Sequence, residues 1–284
     1  MAGGNSHGKE VLNLAERSYH RQRLENGFVL LSALFSLLFL QTLYGMADLF
    51  IIGQFEGVAS TTAVSVGSQV MHMLTVMIVG LAMGSTVSIG QAVGARDMKR
   101  AARSIGNTAT LFLGLSLVLT VLLLLLDRPI VSAMSTPEAA VAGTVDYLTI
   151  CFVGIPFITA YNIISSIFRG LGDSKSPMYF IAVACIANIA LDYLFLGTLH
   201  MGPSGAALGT TLSQTISVLL SLVVITARKS DLSIRRSDLC PAWPVMKQIL
   251  SVGIPVALQD GFTSGPWTFP CLRSPPFWRI GTSG

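Results

Sequence analysis

The chain has 284 residues, of which 52% are hydrophobic and only 11% are charged. A soluble domain carries about 25% charged residues, so this composition excludes a soluble globular protein. The net charge of +4 does not indicate a nucleic-acid partner, because loops at one membrane face account for it.

Six charge-poor segments of about 20 residues or more are long enough to cross a bilayer as helices. In chain order they are Phe28 to Ile52, Thr62 to Val87, Ile105 to Leu126, Val141 to Phe168, Met178 to Thr198 and Ala206 to Ala227. A seventh apolar segment begins near Val245 and stops early. The predicted fold class is therefore an all-α polytopic membrane protein. Its predicted organisation is an N-terminal segment (1–27), a six-span bundle (28–227), a linker (228–244), the start of a seventh span (245–262) and a tail of different character (263–284).

Basic residues are concentrated in alternate loops. They lie before the first predicted span and after the second, fourth and sixth: Lys9, Arg17, Arg21, Arg23, Arg96, Lys99, Arg100, Arg103, Arg169, Lys175, Arg228, Lys229, Arg235 and Arg236. The odd-numbered spans are followed by Arg128 alone. Because basic loops stay in the cytoplasm, we expect a multi-pass plasma-membrane protein in which both ends of the six-span bundle are cytoplasmic.

The acidic residues Asp48 and Asp192 lie inside predicted spans. A carboxylate at the centre of the bilayer costs about 2.5 to 3.5 kcal/mol on insertion scales, so such residues usually mark ion or substrate pathways. Asn188 precedes Asp192 by four residues and shares its helix face, and the two side chains suit one proton or small cation. The alternative is that the pair only hydrogen-bonds to a neighbouring helix and stabilises the bundle.

The predicted topology places four polar residues at a similar depth. At a rise of about 1.5 Å per residue, Asp48 and Thr210 lie roughly 6 Å below the outer surface, and Asp192 and Tyr147 lie roughly 9 Å below it. The sequence therefore predicts a shared polar site in the outer half of the membrane.

Two further residues are weaker candidates. His72, near the middle of the second span, is a possible secondary site residue because histidine often carries protons in proteins, although a core histidine with satisfied hydrogen bonds is the favoured interpretation. Pro156 in the fourth span is a candidate hinge, but proline is common in membrane helices. The four cysteines show no CxxC spacing, so neither a zinc site nor a disulfide framework is indicated.

Six sequence blocks follow one another along the chain in an order that is typical of one transporter family. They are MADLFIIGQFEG, GLAMGSTVSIGQAVGARDMKRAAR, YLTICFVGIPF, IFRGLGDSKSPM, NIALDYLFLG and GPSGAALGTTLSQ. Between about Leu43 and Phe262, the chain resembles the multidrug and toxic compound extrusion (MATE) transporters, and most closely their DNA-damage-inducible-protein-like branch. The resemblance implies the amino-terminal six-helix lobe of a twelve-span fold with two pseudo-symmetric lobes, followed by the start of the seventh span.

The resemblance also implies an activity and a site. Protons or sodium ions would move inward while cationic or amphipathic drugs move outward, with no cofactor besides the coupling ion. The cation or proton site would comprise Asp48, Tyr147, Asn188, Asp192 and Thr210, the residues reached above from topology and helix spacing. The implied partners are the lipid bilayer, small cationic or amphipathic substrates and a second lobe, with no nucleic acid.

The sequence after GIPVALQDGF departs from the family pattern. The segment TSGPWTFPCLRSPPFWRIGTSG has little apolar continuity and contains prolines that interrupt a helix. It resembles the product of a frameshift or a truncated gene, so an incomplete or inactive antiporter lobe is expected. A non-transporting membrane fragment and a lipid-linked sugar flippase stay open as alternatives. An intramembrane enzyme is disfavoured, because no Ser/His pairing, HExxH or paired-aspartate motif is present.

Overall fold

The computed structural model describes residues 39, 45–227, 238 and 240–264. Its regular structure is helical throughout these residues. The helices, in chain order, are α1 Gly45–Phe55, α2 Val58–Gly94, α3 Met98–Leu125, α4 Asp127–Ala133, α5 Glu138–Gly170, α6 Lys175–Asp192, α7 Gly202–Ala227 and α8 Trp243–Ser264. A π-helical segment, Tyr193–Thr198, continues α6.

Five of the described helices are long and apolar enough to cross a membrane: α2, α3, α5, α6 with its π-helical extension, and α7. Each coincides with a predicted span, and α1 contains the end of the first span, whose beginning lies outside the described residues. Large apolar side chains project outward, as on α3, where Val118 and Leu125 are 66% and 74% exposed. This pattern suits helices that face lipid, and it confirms the all-α polytopic class.

Helix α5 lies at the centre of the bundle. It packs against α2, α3 and α7, and α6 packs against α7 on the far side. The largest apolar core surrounds its first half, where Leu148 and Phe152 are buried together with Ile52 of α1, Val64 of α2 and Ala207 of α7. Buried side chains of α5 thus pack α1, α2 and α7 into one core.

Local signals fix where two of the helices begin. Asp97 Oδ1 accepts the backbone N–H of Arg100 at 3.0 Å and caps α3. Asp173 accepts the backbone N–H of Ser176 at 3.1 Å and its hydroxyl at 2.6 Å, at the start of α6. Capping by a short acidic side chain satisfies backbone donors that the first turn leaves without partners.

Helix α8 lies in close backbone contact with α2. A Cβ atom on Gly80 would come within 2.7 Å of the Ala257 Cα, and one on Gly84 would clash with the carbonyl of Ile249. On the other helix, a Cβ on Gly253 would clash with the carbonyl of Leu81. Glycine on both helices therefore permits an approach that any side chain would prevent.

The start of α8 is also bound to α3 through Asn107, whose side chain is fully buried. Its Oδ1 accepts the backbone N–H of Ala242 at 2.6 Å, and its Nδ2 donates to the carbonyl of Asp238 at 3.4 Å. Nearby, Gln248 of α8 accepts a bond from Arg100 at 3.5 Å. These bonds tie the residues that precede α8 to the six-span bundle.

The structure adds three features that the sequence did not predict. The loop that carries Arg128 forms the short helix α4. The last turn of the fifth span is π-helical. Helix α8 begins and ends two residues beyond the predicted limits of 245–262. The N-terminal segment 1–27, most of the linker and residues 265–284 lie outside the described residues, so the predicted domain division stays a prediction.

Candidate cation site

Asp48 of α1 reaches into the bundle and is 4% exposed. The hydroxyl of Thr210 in α7 donates a hydrogen bond of 3.1 Å to its Oδ2. The side chains of Asp192 and Asn188 in α6 lie beside the same carboxylate. Helices α1, α6 and α7 thus bring together four of the five residues assigned to the site.

Asp192 and Asn188 are both fully buried. They lie one helical turn apart on the face of α6 that contacts α7, as their spacing predicts. The Asp192 carboxylate packs against Gly209 of α7, where a Cβ atom would clash with Oδ1. The spacing of Gly205 and Gly209 in the sequence indicates a close helix approach, but it does not show that Gly209 faces the Asp192 carboxylate.

Tyr147 of α5 is buried next to this cluster. Its hydroxyl lies 3.1 Å from the hydroxyl of Ser68 in α2, and its ring packs on Gly67, where a Cβ would lie 2.9 Å from Cε1. One turn along α5, Cys151 lies beside both Tyr147 and Thr211 of α7. Tyr147 is thus linked to α2 through Ser68 and to α7 through Cys151, while the predicted common depth of the site stays a prediction.

The cluster has hydrogen-bonding capacity that the described protein atoms do not use. Both oxygens of Asp192, both polar atoms of the Asn188 side chain and Oδ1 of Asp48 are buried without a hydrogen-bond partner among the described residues. Buried polar atoms of this kind are rare and require an explanation. Carboxylate, amide and hydroxyl oxygens together form a donor set that suits a hard cation or a proton.

The two weaker candidates lie elsewhere. His72 is exposed on α2, so its interpretation as a core histidine was wrong. Its neighbour Met71 lies on the buried face of that helix, and the next residue is turned by about 100° away from it. Pro156 lies within α5, which continues as one helix from Glu138 to Gly170. Its hinge role stays a prediction.

The fold and the site define a class: a polytopic α-helical membrane protein with paired carboxylates buried between its spans. A family model described as MatE matches residues 33–194. The chain therefore belongs to the MATE family, and its bundle is the amino-terminal lobe of that fold.

Curated relatives agree with this assignment. The chain is 35% identical over 221 residues to the probable multidrug resistance protein YpnP of Bacillus subtilis, a match that covers 78% of this chain and 49% of the relative. It is 30% identical over 226 residues to the probable multidrug resistance protein NorM of Thermotoga maritima, covering 78% of this chain and 48% of the relative. The chain thus spans about half the length of the curated relatives it matches.

Solved structures show the same half-length similarity. An inward-facing multidrug resistance MATE family transporter of the MOP superfamily matches with a TM-score of 0.73 and 29% identity, over 79% of this chain and 51% of that one. An outward-facing structure matches with a TM-score of 0.73 and 28% identity, over 78% and 49%. A MOP superfamily transporter from Pyrococcus furiosus, whose binding pocket is described as having reverse polarity, matches with a TM-score of 0.72 and 28% identity, over 78% and 49%.

Proposed function

We propose that this chain forms the cation-binding lobe of an antiporter that exports cationic or amphipathic drugs in exchange for protons or sodium ions. The observation that carries the proposal is the meeting of Asp48 and Asp192, from α1 and α6, in a buried cluster with Asn188 and Thr210. The relatives YpnP and NorM are named as probable multidrug resistance proteins. No covalent chemistry is needed for this activity.

The electrostatics of the cluster support a coupling role. Two carboxylates side by side in a low-dielectric interior repel each other far more strongly than they would in water. A proton or a small cation shared between them removes that repulsion and uses oxygens that otherwise have no described partner. Binding and release of the cation would therefore change how tightly α1, α6 and α7 are held together.

The proposal includes an orientation and a partner. The basic loops would face the cytoplasm, so the carboxylate cluster would open to the outside of the cell, from which coupling ions enter. A second lobe would complete the drug cavity, since the matched relatives are about twice as long as the region they share with this chain.

Asp192→Asn tests this function, because asparagine keeps the size of the side chain and removes its charge. The assay is efflux of the dye ethidium under an imposed proton or sodium gradient, from cells and proteoliposomes that also contain a second lobe to complete the drug cavity. We expect coupled efflux to be abolished while membrane insertion stays normal. The matched control is Glu138→Gln, which removes an exposed carboxylate from the start of α5, outside the predicted spans, and should leave efflux unchanged. Undiminished gradient-driven export by Asp192→Asn would overturn the proposal.

A further inference from the structure

Two consecutive residues of α7 contact the two carboxylates in opposite ways. Thr210 donates its hydroxyl to Asp48. Gly209 presents a bare backbone to Asp192, whose Oδ1 occupies the space that a Cβ would fill. The surface of α7 thus binds one carboxylate through a hydroxyl and accommodates the other through the absence of a side chain.

The contact at Gly209 involves both the carboxylate and the backbone of Asp192. A Cβ atom there would clash with Oδ1, lie 3.2 Å from Cγ and lie 3.6 Å from the backbone nitrogen of Asp192. Asp192 is fully buried, and neither of its oxygens has a hydrogen-bond partner among the described residues. A methyl group at this position therefore forces the carboxylate to rotate away or α6 to move, because packed interiors have no free space to absorb it.

Gly205, one turn earlier on the same helix, differs in what it contacts. The three atoms nearest to a Cβ there would be apolar: Met201 Cβ at 3.0 Å, Phe195 Cβ at 3.1 Å and Leu196 Cδ2 at 3.4 Å. Both glycines are buried. Alanine substitution at Gly209 and at Gly205 can therefore be compared to separate an effect on the carboxylate from an effect on helix packing.

We propose that Gly209 is a positioning residue of the cation site: its bare backbone lets the Asp192 carboxylate lie against α7, within reach of a cation shared with Asp48. This inference rests on the proposed function, since it concerns the same site. It identifies the residue that sets the separation of the two carboxylates and hence how tightly they hold a proton or Na⁺.

Chemical labelling tests this role without requiring transport. Dicyclohexylcarbodiimide reacts with protonated carboxyl groups in apolar surroundings, and bound Na⁺ protects them. Labelling of Asp192 in the purified full chain is measured by peptide mass spectrometry as a function of pH and of NaCl concentration. For Gly209→Ala we expect the cation concentration at the midpoint to rise by about tenfold or more, the effect of losing one charge-assisted contact. For Gly205→Ala we expect a shift within about twofold.

The outcomes divide clearly. A shift in Gly209→Ala alone supports the positioning role. Identical curves for both variants, whether shifted or unshifted, overturn it, because Gly209 would then contribute nothing beyond ordinary packing. If Gly209→Ala does not yield monodisperse protein, the double variant Gly209→Ala/Asp192→Ala decides: recovery of monodisperse protein supports a clash with that carboxylate, and continued failure overturns it.

Asp192→Asn separates this inference from the proposed function. If ion-coupled efflux survives in Asp192→Asn, the proposed function fails whatever Gly209 does. If efflux is lost in Asp192→Asn but the labelling midpoint is unmoved in Gly209→Ala, the positioning role alone fails.

Discussion

At the scale of single residues, an intramembrane carboxylate was the most informative feature of the sequence. Asp48 and Asp192 are unfavourable in hydrocarbon, and both prove to be buried in the bundle rather than turned toward lipid. Their polar neighbours Asn188 and Thr210 were found through helix spacing and depth. The positions of these residues are observed, whereas their role in binding a coupling ion stays a prediction.

Some residues of the site carry no chemical signal of their own. Gly209 and Gly67 matter because they have no side chain. Ser68 and Cys151 are residues that are common in membrane helices. Their importance follows from the side chains that the other helices place against them. Single-sequence reasoning could identify glycine as a packing residue but not the atom that packs on it.

The hydrogen bond from Thr210 to Asp48 leads to a prediction at this scale. Thr210→Val keeps the shape of the side chain and removes the donor, and a bond to a charged group contributes about 1.5–3 kcal/mol. We expect the concentration of coupling ion for half-maximal efflux to change by about tenfold or more, with Thr210→Ser retaining wild-type behaviour. Ion titration of dye efflux measures this.

Thr215→Val is the control for that substitution. The hydroxyl of Thr215 donates to the carbonyl of Thr211 in its own helix at 2.8 Å, and its loss should leave the ion dependence unchanged. If Thr210→Val and Thr215→Val behave alike, the bond to Asp48 has no part in ion binding.

At the scale of helices, close approach between glycine-bearing faces determines which helices are neighbours. Helix α8 illustrates this most clearly, because its hydropathy alone did not qualify it as a span. It is nevertheless packed along α2 through Gly80, Gly84 and Gly253. The buried side chain of Asn107 holds its first residues to α3. The start of the seventh span therefore packs directly on the six-helix bundle.

Gly84→Ala tests the contact between α2 and α8. The added methyl group would meet the backbone of Ile249 and lie 2.9 Å from the backbone nitrogen of Gly253, and backbone atoms cannot rotate away as a side chain can. Overpacking of this kind typically costs about 1–3 kcal/mol. We expect a clearly lower apparent melting temperature in detergent, measured by fluorescence-detected size-exclusion chromatography.

The matched control lies on the same helix. A Cβ on Gly94 would meet nothing within 4 Å, so Gly94→Ala should leave the melting temperature unchanged or raise it slightly, since alanine favours a helix more than glycine does. Equal melting temperatures for the two variants would show that α8 does not rely on this approach.

At the scale of the whole molecule, the bundle resembles one half of its structural relatives. It matches an inward-facing and an outward-facing transporter with the same TM-score of 0.73. Such agreement is expected if each lobe keeps its internal fold while the two lobes change their relation to one another. We therefore expect cation binding to act through the contacts of α1, α6 and α7 without refolding the lobe.

The predicted orientation is testable at this scale. Lys99 and Glu138 are both exposed, one after α2 and one at the start of α5. With Cys240→Ser and Cys271→Ser in the background, we expect Glu138→Cys to react with a membrane-impermeant maleimide on intact cells. Lys99→Cys should react only after permeabilisation, because the basic segment that joins α2 to α3 and includes the first turn of α3 should be cytoplasmic. The reverse pattern would contradict the orientation and place the carboxylate cluster at the inner side.

The sequence by itself determined which segments are membrane helices and which polar residues within them require a functional or packing explanation. Both follow from the free energy of transfer into hydrocarbon, which is a property of each segment alone. Tertiary structure decided that α1, α6 and α7 meet at Asp48 and Asp192, that His72 faces outward, and that α8 lies on α2. These outcomes depend on the rotation and close approach of whole helices, which are set by contacts between residues far apart in the chain.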